Sequence, residues 1–200
     1  MLQRQGQVDD HGGTSAHSGA IDEMRLLQQI GARDLRAFET LYRIYQPRLT
    51  RFLMNILHRS HLVEEALDDT LMVVWKRPES FNGLSKVSTW IFAIAYRTAL
   101  KTMSRYDEPR EDPLADTRAS ADPAADHGIE QRQTQAILFE ALSRLSPEHR
   151  AVVDLTYFHD VGYREIAEIM DCPVGTVKTR MFHARLHLRR MLAGQLADWL

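Results

Sequence analysis

Positive charge is concentrated in the last part of the chain, where acids do not balance it. The segment 174–190 contains no Asp or Glu, although the whole chain has a net charge of −2. A local, acid-free basic segment is typical of a surface that neutralises the phosphates of a nucleic acid. We therefore expect this segment to bind DNA. Its cations are Lys178, Arg180, Arg185, Arg189 and Arg190.

Two adjacent carboxylates, Asp68 and Asp69, are the other residues with evident chemistry. Paired acids can act as a general acid and base or bind a metal. Neighbouring side chains on a helix point about 100 degrees apart, however, so they rarely converge on one ligand. A solvated acidic face is the ordinary interpretation of such a pair. The alternative from the enzyme class is an all-helical hydrolase that uses Asp68 and a histidine.

The other sequence motifs of catalysis are missing. His183 and His187 lie at i and i+4, but Ala184 stands where a zinc-hydrolase motif has its acid. There is also no Gly-rich phosphate loop and no nucleophile elbow. The sequence therefore predicts that the chain is not an enzyme and has no metal site and no cofactor.

The spacing of apolar residues around the basic segment predicts a helix-turn-helix. Asp171 lies at the reversal, where it tolerates a left-handed backbone, and Pro173 ends the first helix and starts the second. An ordinary helical hairpin with a solvated basic face is the alternative, and the acid-free run favours DNA binding. The predicted core positions are Ile166, Ala167 and Met170 on the first helix and Val177, Met181, Ala184 and Leu188 on the second.

The N-terminal half predicts a bundle of about four helices. Its first long helical pattern runs from Phe38 to Ile56 and is expected to be interrupted at Pro47. Ser60 is a candidate cap for a helix that runs to Trp75. Asn82 and Gly83 predict a turn, and Ser88 or Thr89 can cap a further helix beginning at Trp90.

Cations and aromatic residues alternate between residues 76 and 105, a mixture that single-stranded nucleic acids prefer. Large aromatic residues are more often buried, so we expect Trp90 and Phe92 to lie in the core. The cations are Lys76, Arg77, Lys86, Arg97, Lys101 and Arg105, and the aromatic residues are Trp75, Phe81, Trp90, Phe92 and Tyr96.

Composition divides the chain into four parts. Residues 1–20 are polar and are expected to form a disordered tail. Residues 107–130 hold eight acids, two arginines and three prolines and are expected to be a flexible linker. The expected fold is all-α, with two small helical domains, 21–106 and 131–200, each with its own modest core. A relaxed 24-residue linker spans roughly 27 Å, so the domains reach sites about 70 Å apart only when it is extended.

Stretches in both halves resemble one protein family. In the C-terminal half they are 145–150 (LSPEHR), 163–168 (YREIAE) and 171–185 (DCPVGTVKTRMFHAR). In the N-terminal half they are 37–42 (AFETLY), 64–75 (EEALDDTLMVVW) and 88–95 (STWIFAIA). These stretches look like regions 4 and 2 of bacterial sigma factors of the extracytoplasmic-function class. The resemblance implies a transcription initiation factor that binds core RNA polymerase and reads the minus-ten and minus-thirty-five promoter elements.

The resemblance also implies roles for individual residues. The acidic helix would dock on a coiled coil of the polymerase largest subunit through Asp68, Asp69 and Glu65. The segment from Phe81 to Thr89 would capture a flipped base of the minus-ten element. The implied minus-ten residues are Phe81, Lys86, Ser88, Thr89, Arg97 and Lys101. In the recognition helix, Lys178, Thr179, Phe182 and His183 would face bases, and Thr176, Arg180 and Arg185 would complete the minus-thirty-five surface.

Four positions depart from the family pattern. Gly162 stands where many members have a capping Ser, and His183 and Ala93 stand where Arg is common. Arg97 replaces a common Asn. These departures bear on which promoter sequence is read.

The partners implied are promoter DNA, core polymerase and an anti-sigma factor that contacts both halves. A stand-alone helix-turn-helix regulator is the alternative from the binding-module class. No apolar run approaches the roughly 20 residues of a membrane span, so we expect a cytoplasmic protein without membrane insertion. The single cysteine, Cys172, is expected to be a small buried hydrophobe.

Overall fold

A computed structural model describes residues 22–107, 137–138 and 140–196. The predicted tail 1–20 and nearly all of the predicted linker 107–130 lie outside these residues. Within them the secondary structure is helical, without a strand, as predicted. No helix in the described part of the chain is long and apolar enough to span a bilayer.

Four helices form the N-terminal half. They are α1 (Glu23–Gly31), α2 (Leu35–Leu57), α3 (Ser60–Lys76) and α4 (Val87–Asp107), with a 3₁₀ turn at Pro78–Ser80. Asp22 and Asp34 begin α1 and α2, since their carboxylates accept backbone N–H groups of the first turn. The predicted four-helix bundle is confirmed.

Three local predictions in this half are wrong. Helix α2 continues through Pro47, because buried residues on both sides of the proline hold the helix against the bundle. Ser60 is the first residue of α3; Arg59 occupies the cap position and makes no side-chain capping bond. Helix α4 begins at Val87, before both Ser88 and Thr89, because the buried Val87 extends its apolar face.

The C-terminal half contains a short helical stretch at residues 140–143 followed by α5 (Pro147–Tyr157), α6 (Tyr163–Ile169) and α7 (Val174–Leu196). Ser146 caps α5, and Gly162 occupies the cap position of α6. Asp171 has φ of 49°, which confirms the predicted left-handed reversal. Helices α6 and α7 therefore form the predicted helix-turn-helix.

The two halves pack against each other. Helix α2 contacts α5, and α4 contacts α6. Buried residues of both halves form one continuous hydrophobic cluster, whereas the sequence predicted a separate core for each. Periodicity identifies the apolar face of each helix, but it does not determine which helix covers that face.

Polar groups are buried where the halves meet. Asn55 of α2 donates to the Asp154 carboxylate of α5. The second oxygen of that carboxylate lies 3.1 Å from Nε2 of His159. The His159 ring lies against Phe52 and Phe92, with ring centroids 6.2 and 4.7 Å away. The loop after α5 therefore inserts an imidazole into a pocket made by α2 and α4.

Candidate nucleic-acid and polymerase interfaces

Helix α3 presents an acidic face to solvent. Asp68 and Asp69 are exposed. Glu65, one turn earlier, is partly exposed and pairs with Arg105 of α4. Met72, one turn after Asp68, is 47% exposed although it lies in an apolar run. An exposed apolar side chain one turn from a pair of acids is suited to anchor a protein partner. Met72 was not among the predicted residues, because an apolar run usually indicates a buried helix face.

The loop between α3 and α4 carries an exposed tip. Asn82 Oδ1 accepts from the Leu84 amide at 3.0 Å, and Gly83 has φ of 74°, which confirms the predicted turn. This turn leaves Leu84 87% exposed, the second residue that the sequence analysis missed. Phe81 packs against Trp90 with ring centroids 5.6 Å apart.

The prediction that Trp90 and Phe92 of α4 lie in the core is half right. Phe92 is 1% exposed, as expected for a core residue. Trp90 is only partly buried, beneath Phe81. The Trp90 indole thus lies close to the surface of the loop between α3 and α4.

A recess opens between this loop and α1. Phe81 and Met24 contribute apolar surface, and Gln28 and Asn82 contribute amide groups. An aromatic wall with convergent amides can hold a planar heterocycle and hydrogen-bond its edge. The α1 side chains were missed because α1 carries no sequence motif.

The other predicted minus-ten residues are not equally accessible. Arg97 and Lys101 are exposed on α4, and Ser88 is partly buried. Thr89 is 4% exposed. Lys86 pairs with Glu165 of α6 at 2.5 Å. Of the predicted minus-ten residues, Lys86 is thus paired with a side chain of the C-terminal half.

The exposed face of α7 contains the four residues predicted to face bases. Lys178, Thr179 and His183 are exposed, and Phe182 is 64% exposed. Val177, Met181 and Ala184 are buried, which confirms the predicted inward stripe; Leu188 is half-buried. The Thr179 hydroxyl donates to Gly175 O at 3.0 Å, so its oxygen retains accepting capacity.

Neighbouring side chains contact two further cations of α7, Arg185 and Arg180. Arg185 Nε donates to the Tyr157 hydroxyl at 3.0 Å. Arg180 is partly buried, with Nη1 3.6 Å from Cys172 Sγ. Cys172 is only partly buried, so the prediction of a buried hydrophobe holds in part. Thr176 is also partly buried, near the start of the helix.

A second recess lies between α7 and the start of α5. It is termed the histidine recess. Besides two leucine side chains it is lined by polar and basic groups, which are Arg144, Ser146, His149, His183, His187 and Arg190. Within the described ranges no group of three His, Cys, Asp or Glu side chains has the geometry of a metal site.

Two family models match the chain. Sigma-70 region 2 matches residues 41–108, and Sigma-70 region 4 matches residues 135–188. Together these segments cover more than half of the chain. They lie on the N-terminal bundle and on the helix-turn-helix half, respectively.

Curated relatives match over most of their length. The ECF RNA polymerase sigma factor RpoE of Cereibacter sphaeroides is 30% identical over 162 residues, which covers 80% of this chain and 89% of that protein. The ECF RNA polymerase sigma-E factor of Haemophilus influenzae is 27% identical over 175 residues, covering 82% and 92%.

Two solved structures share the fold. The sigma factor RpoE of Bartonella quintana, in complex with the anti-sigma factor NepR, aligns with a TM-score of 0.61 at 23% identity. That alignment covers 80% of this chain and 98% of the other. CnrH, in complex with the cytosolic domain of CnrY, aligns with a TM-score of 0.64 at 20% identity, covering 86% and 97%.

Proposed function

Since the chain belongs to the extracytoplasmic-function sigma factors, which direct RNA polymerase to promoters, we propose roles for its three exposed functional surfaces. The region 2 match beside the region 4 match excludes a stand-alone helix-turn-helix regulator. The family consists of initiation factors, so the hydrolase alternative loses its basis.

The exposed face of α7 reads the minus-thirty-five element. A recognition helix in the major groove contacts bases through its outward residues, and Lys178, Thr179 and Phe182 are outward and exposed. Arg185 donates to the Tyr157 hydroxyl, so its side chain is already oriented before DNA binds. Its guanidinium then binds a phosphate. Thr176 and Arg180 contact the same phosphate backbone. His183 contacts bases together with Lys178, Thr179 and Phe182.

The loop between α3 and α4 and the recess beside it read the minus-ten element. A flipped base enters the recess and stacks on Phe81, while the amides of Gln28 and Asn82 hydrogen-bond its edge. Leu84, at the loop tip, occupies the space that the base leaves. Arg97, Lys101 and Lys86 bind the backbone of the displaced strand, with the partly exposed Ser88 at the start of α4. Thr89 is buried, so it supports the start of the helix and does not bind the strand.

The acidic face of α3 docks on core polymerase. Asp68, Asp69 and Glu65 orient the encounter, and Met72 supplies the apolar anchor.

We infer that the packed arrangement of the two halves is not the promoter-bound one. Lys86 cannot neutralise a phosphate fully while it pairs with Glu165. Promoter elements two helical turns apart are separated by roughly 70 Å, which contacting halves cannot span. Core polymerase therefore binds the acidic face and holds the halves apart.

Promoter binding with and without core polymerase tests these roles. The chain alone should bind a promoter duplex weakly, and addition of core enzyme should create specificity. Asp68→Lys with Asp69→Lys should weaken core binding without changing the affinity for a minus-thirty-five duplex. Lys178→Ala should do the reverse, at a cost of about 1–3 kcal/mol.

Matched controls are Glu168→Lys for core binding and Arg36→Ala for duplex binding, since both residues are exposed and lie outside the surface tested. Tight, specific promoter binding by the chain alone would contradict the proposal. Unchanged core affinity in the double reversal would remove the docking role of α3.

We also propose an anti-sigma partner that contacts both halves. The acidic face of α3 and the basic face of α7 are both exposed, so one partner can bind both. The analogy with the Bartonella quintana RpoE structure, which is a complex with the anti-sigma factor NepR, supports this partner. Co-purification from the native host tests it, and recovery of core polymerase alone would contradict it.

A further inference from the structure

The histidine recess brings together three imidazoles that are distant in the sequence. His149 lies in the first turn of α5, and His183 and His187 lie one turn apart on α7. The rings of His149 and His183 meet edge to face with centroids 6.5 Å apart. Arg144 and Arg190 line the same recess. All five basic side chains therefore border one space, beside the base-facing surface of α7.

Ser146 contacts His149 at two atoms. Its Oγ accepts the backbone N–H of His149 at 3.4 Å and lies 2.7 Å from Nδ1 of the same residue. Because this contact occupies Nδ1, Nε2 is the ring nitrogen left to bind an anion. A protonated His149 donates to such an anion from Nε2.

The surroundings of His149, burial first among them, disfavour its protonation in the free chain. Burial lowers its pKa below the ordinary 6.5, the Glu148 carboxylate opposes this, and Arg180, His183 and His187 lower it further. Arg144 pairs with Glu140 at 2.7 Å, both being largely exposed. The recess thus contains excess cationic potential that an anion would relieve, and an anion would also favour the protonated imidazole.

We propose that the histidine recess binds a backbone phosphate of the minus-thirty-five duplex and that its imidazoles take up protons when the duplex binds. This inference rests on the proposed role of α7. Arg144 exchanges Glu140 for the phosphate, Arg190 contacts it from α7, and His149 and His187 donate to its oxygens. His183 lies at the border between the phosphate and the bases.

Proton uptake fixes the direction of the pH dependence. A bound phosphate raises the pKa of His149, so the duplex-bound chain holds more protons than the free chain at intermediate pH. Affinity is therefore highest below the pKa of the free chain and falls as pH rises through the pKa of the complex. The transition falls in the range where histidine normally titrates.

The test measures affinity of the full chain for a random-sequence duplex of about 16 base pairs, because a phosphate contact carries no sequence information. The α7 face is exposed in the packed arrangement, so core polymerase is not needed. The wild-type affinity should fall about tenfold between roughly pH 6 and pH 8, equivalent to one pKa unit. His149→Gln with His187→Gln should remove most of that fall.

His61→Gln is the matched control, since His61 is exposed on α3 and should leave the pH profile unchanged. NMR should also find the His149 pKa raised by the duplex, and raised much less by inorganic phosphate at the same phosphate concentration. An unchanged pH profile in the double variant, with normal binding, would overturn the recess proposal alone. An equal response to inorganic phosphate would overturn the assignment to DNA. No binding at any pH would overturn the role of α7 as well.

Discussion

Arg150 is the buried cation that joins the two halves. It is 7% exposed, and it donates to the carbonyls of Ser143 at 3.0 Å and Ile56 at 3.1 Å. Its guanidinium also contacts His58, which ends α2 in the left-handed conformation. Burial, and then the Arg150 charge, lower the pKa of His58 to about 4. His58 is therefore neutral at physiological pH, which prevents repulsion between two buried cations.

Replacing Arg150 by Met should destabilise the chain by about 3 kcal/mol, because two charge-assisted hydrogen bonds of about 1.5 kcal/mol each are lost. Urea unfolding followed by circular dichroism measures this change. The control is Arg164→Met, since Arg164 is exposed on α6 and should shift the midpoint little. Equal effects of the two substitutions would show that the buried bonds contribute no net stability.

Helix α2 shows how packing can override a local helix breaker. Pro47 lies in the middle of the helix and is exposed, whereas Tyr45 and Leu49 on either side are fully buried. An interior proline removes one backbone hydrogen bond and crowds the preceding turn. Tyr45 also donates its hydroxyl to Glu23 Oε1 at 2.7 Å, which joins α2 to α1. These buried contacts offset the cost of the proline.

Pro47→Ala should therefore stabilise the chain by about 1–3 kcal/mol, because alanine restores the hydrogen bond and removes the crowding. Differential scanning calorimetry should record a higher Tm. Thr40→Ala, at another exposed position of α2, should give a much smaller rise. A lower Tm for Pro47→Ala would mean that the bundle requires the distortion that proline introduces.

At the scale of the whole molecule, the loop after α5 holds the halves together. Asp160 adopts a left-handed φ of 52° and so turns the chain after His159, whose ring lies between Phe52 and Phe92. Phe158 lies under Arg51, with the guanidinium carbon 3.8 Å from the ring centroid. The contacts of His159 are buried, so they stabilise the packed arrangement more than the exposed Lys86–Glu165 pair does.

His159→Ala should favour separation of the halves. Loss of a ring packed against two phenylalanines costs about 2 kcal/mol, which shifts the equilibrium about 30-fold. Small-angle X-ray scattering should find a larger radius of gyration with unchanged helix content. Glu168→Ala, on the exposed side of α6, should leave the radius unchanged. An unchanged radius in His159→Ala would contradict the role of this loop.

The sequence alone determined the local structure and the exposed motifs. Apolar spacing identified both helices of the helix-turn-helix and the buried positions Val177 and Ala184. The left-handed Asp171 and the turn at Gly83 also followed from residue type. These features depend on interactions within a few residues, which a single sequence contains.

Only the tertiary structure decided which helices cover one another and which side chains meet. The contact of Lys86 with Glu165, the insertion of His159 and the meeting of His149 with His183 each join residues that are far apart in the chain. Met72, Leu84 and Gln28 were missed for the same reason, since exposure and recess formation depend on neighbouring elements. Periodicity specifies an apolar face, but packing against another element determines what that face contacts.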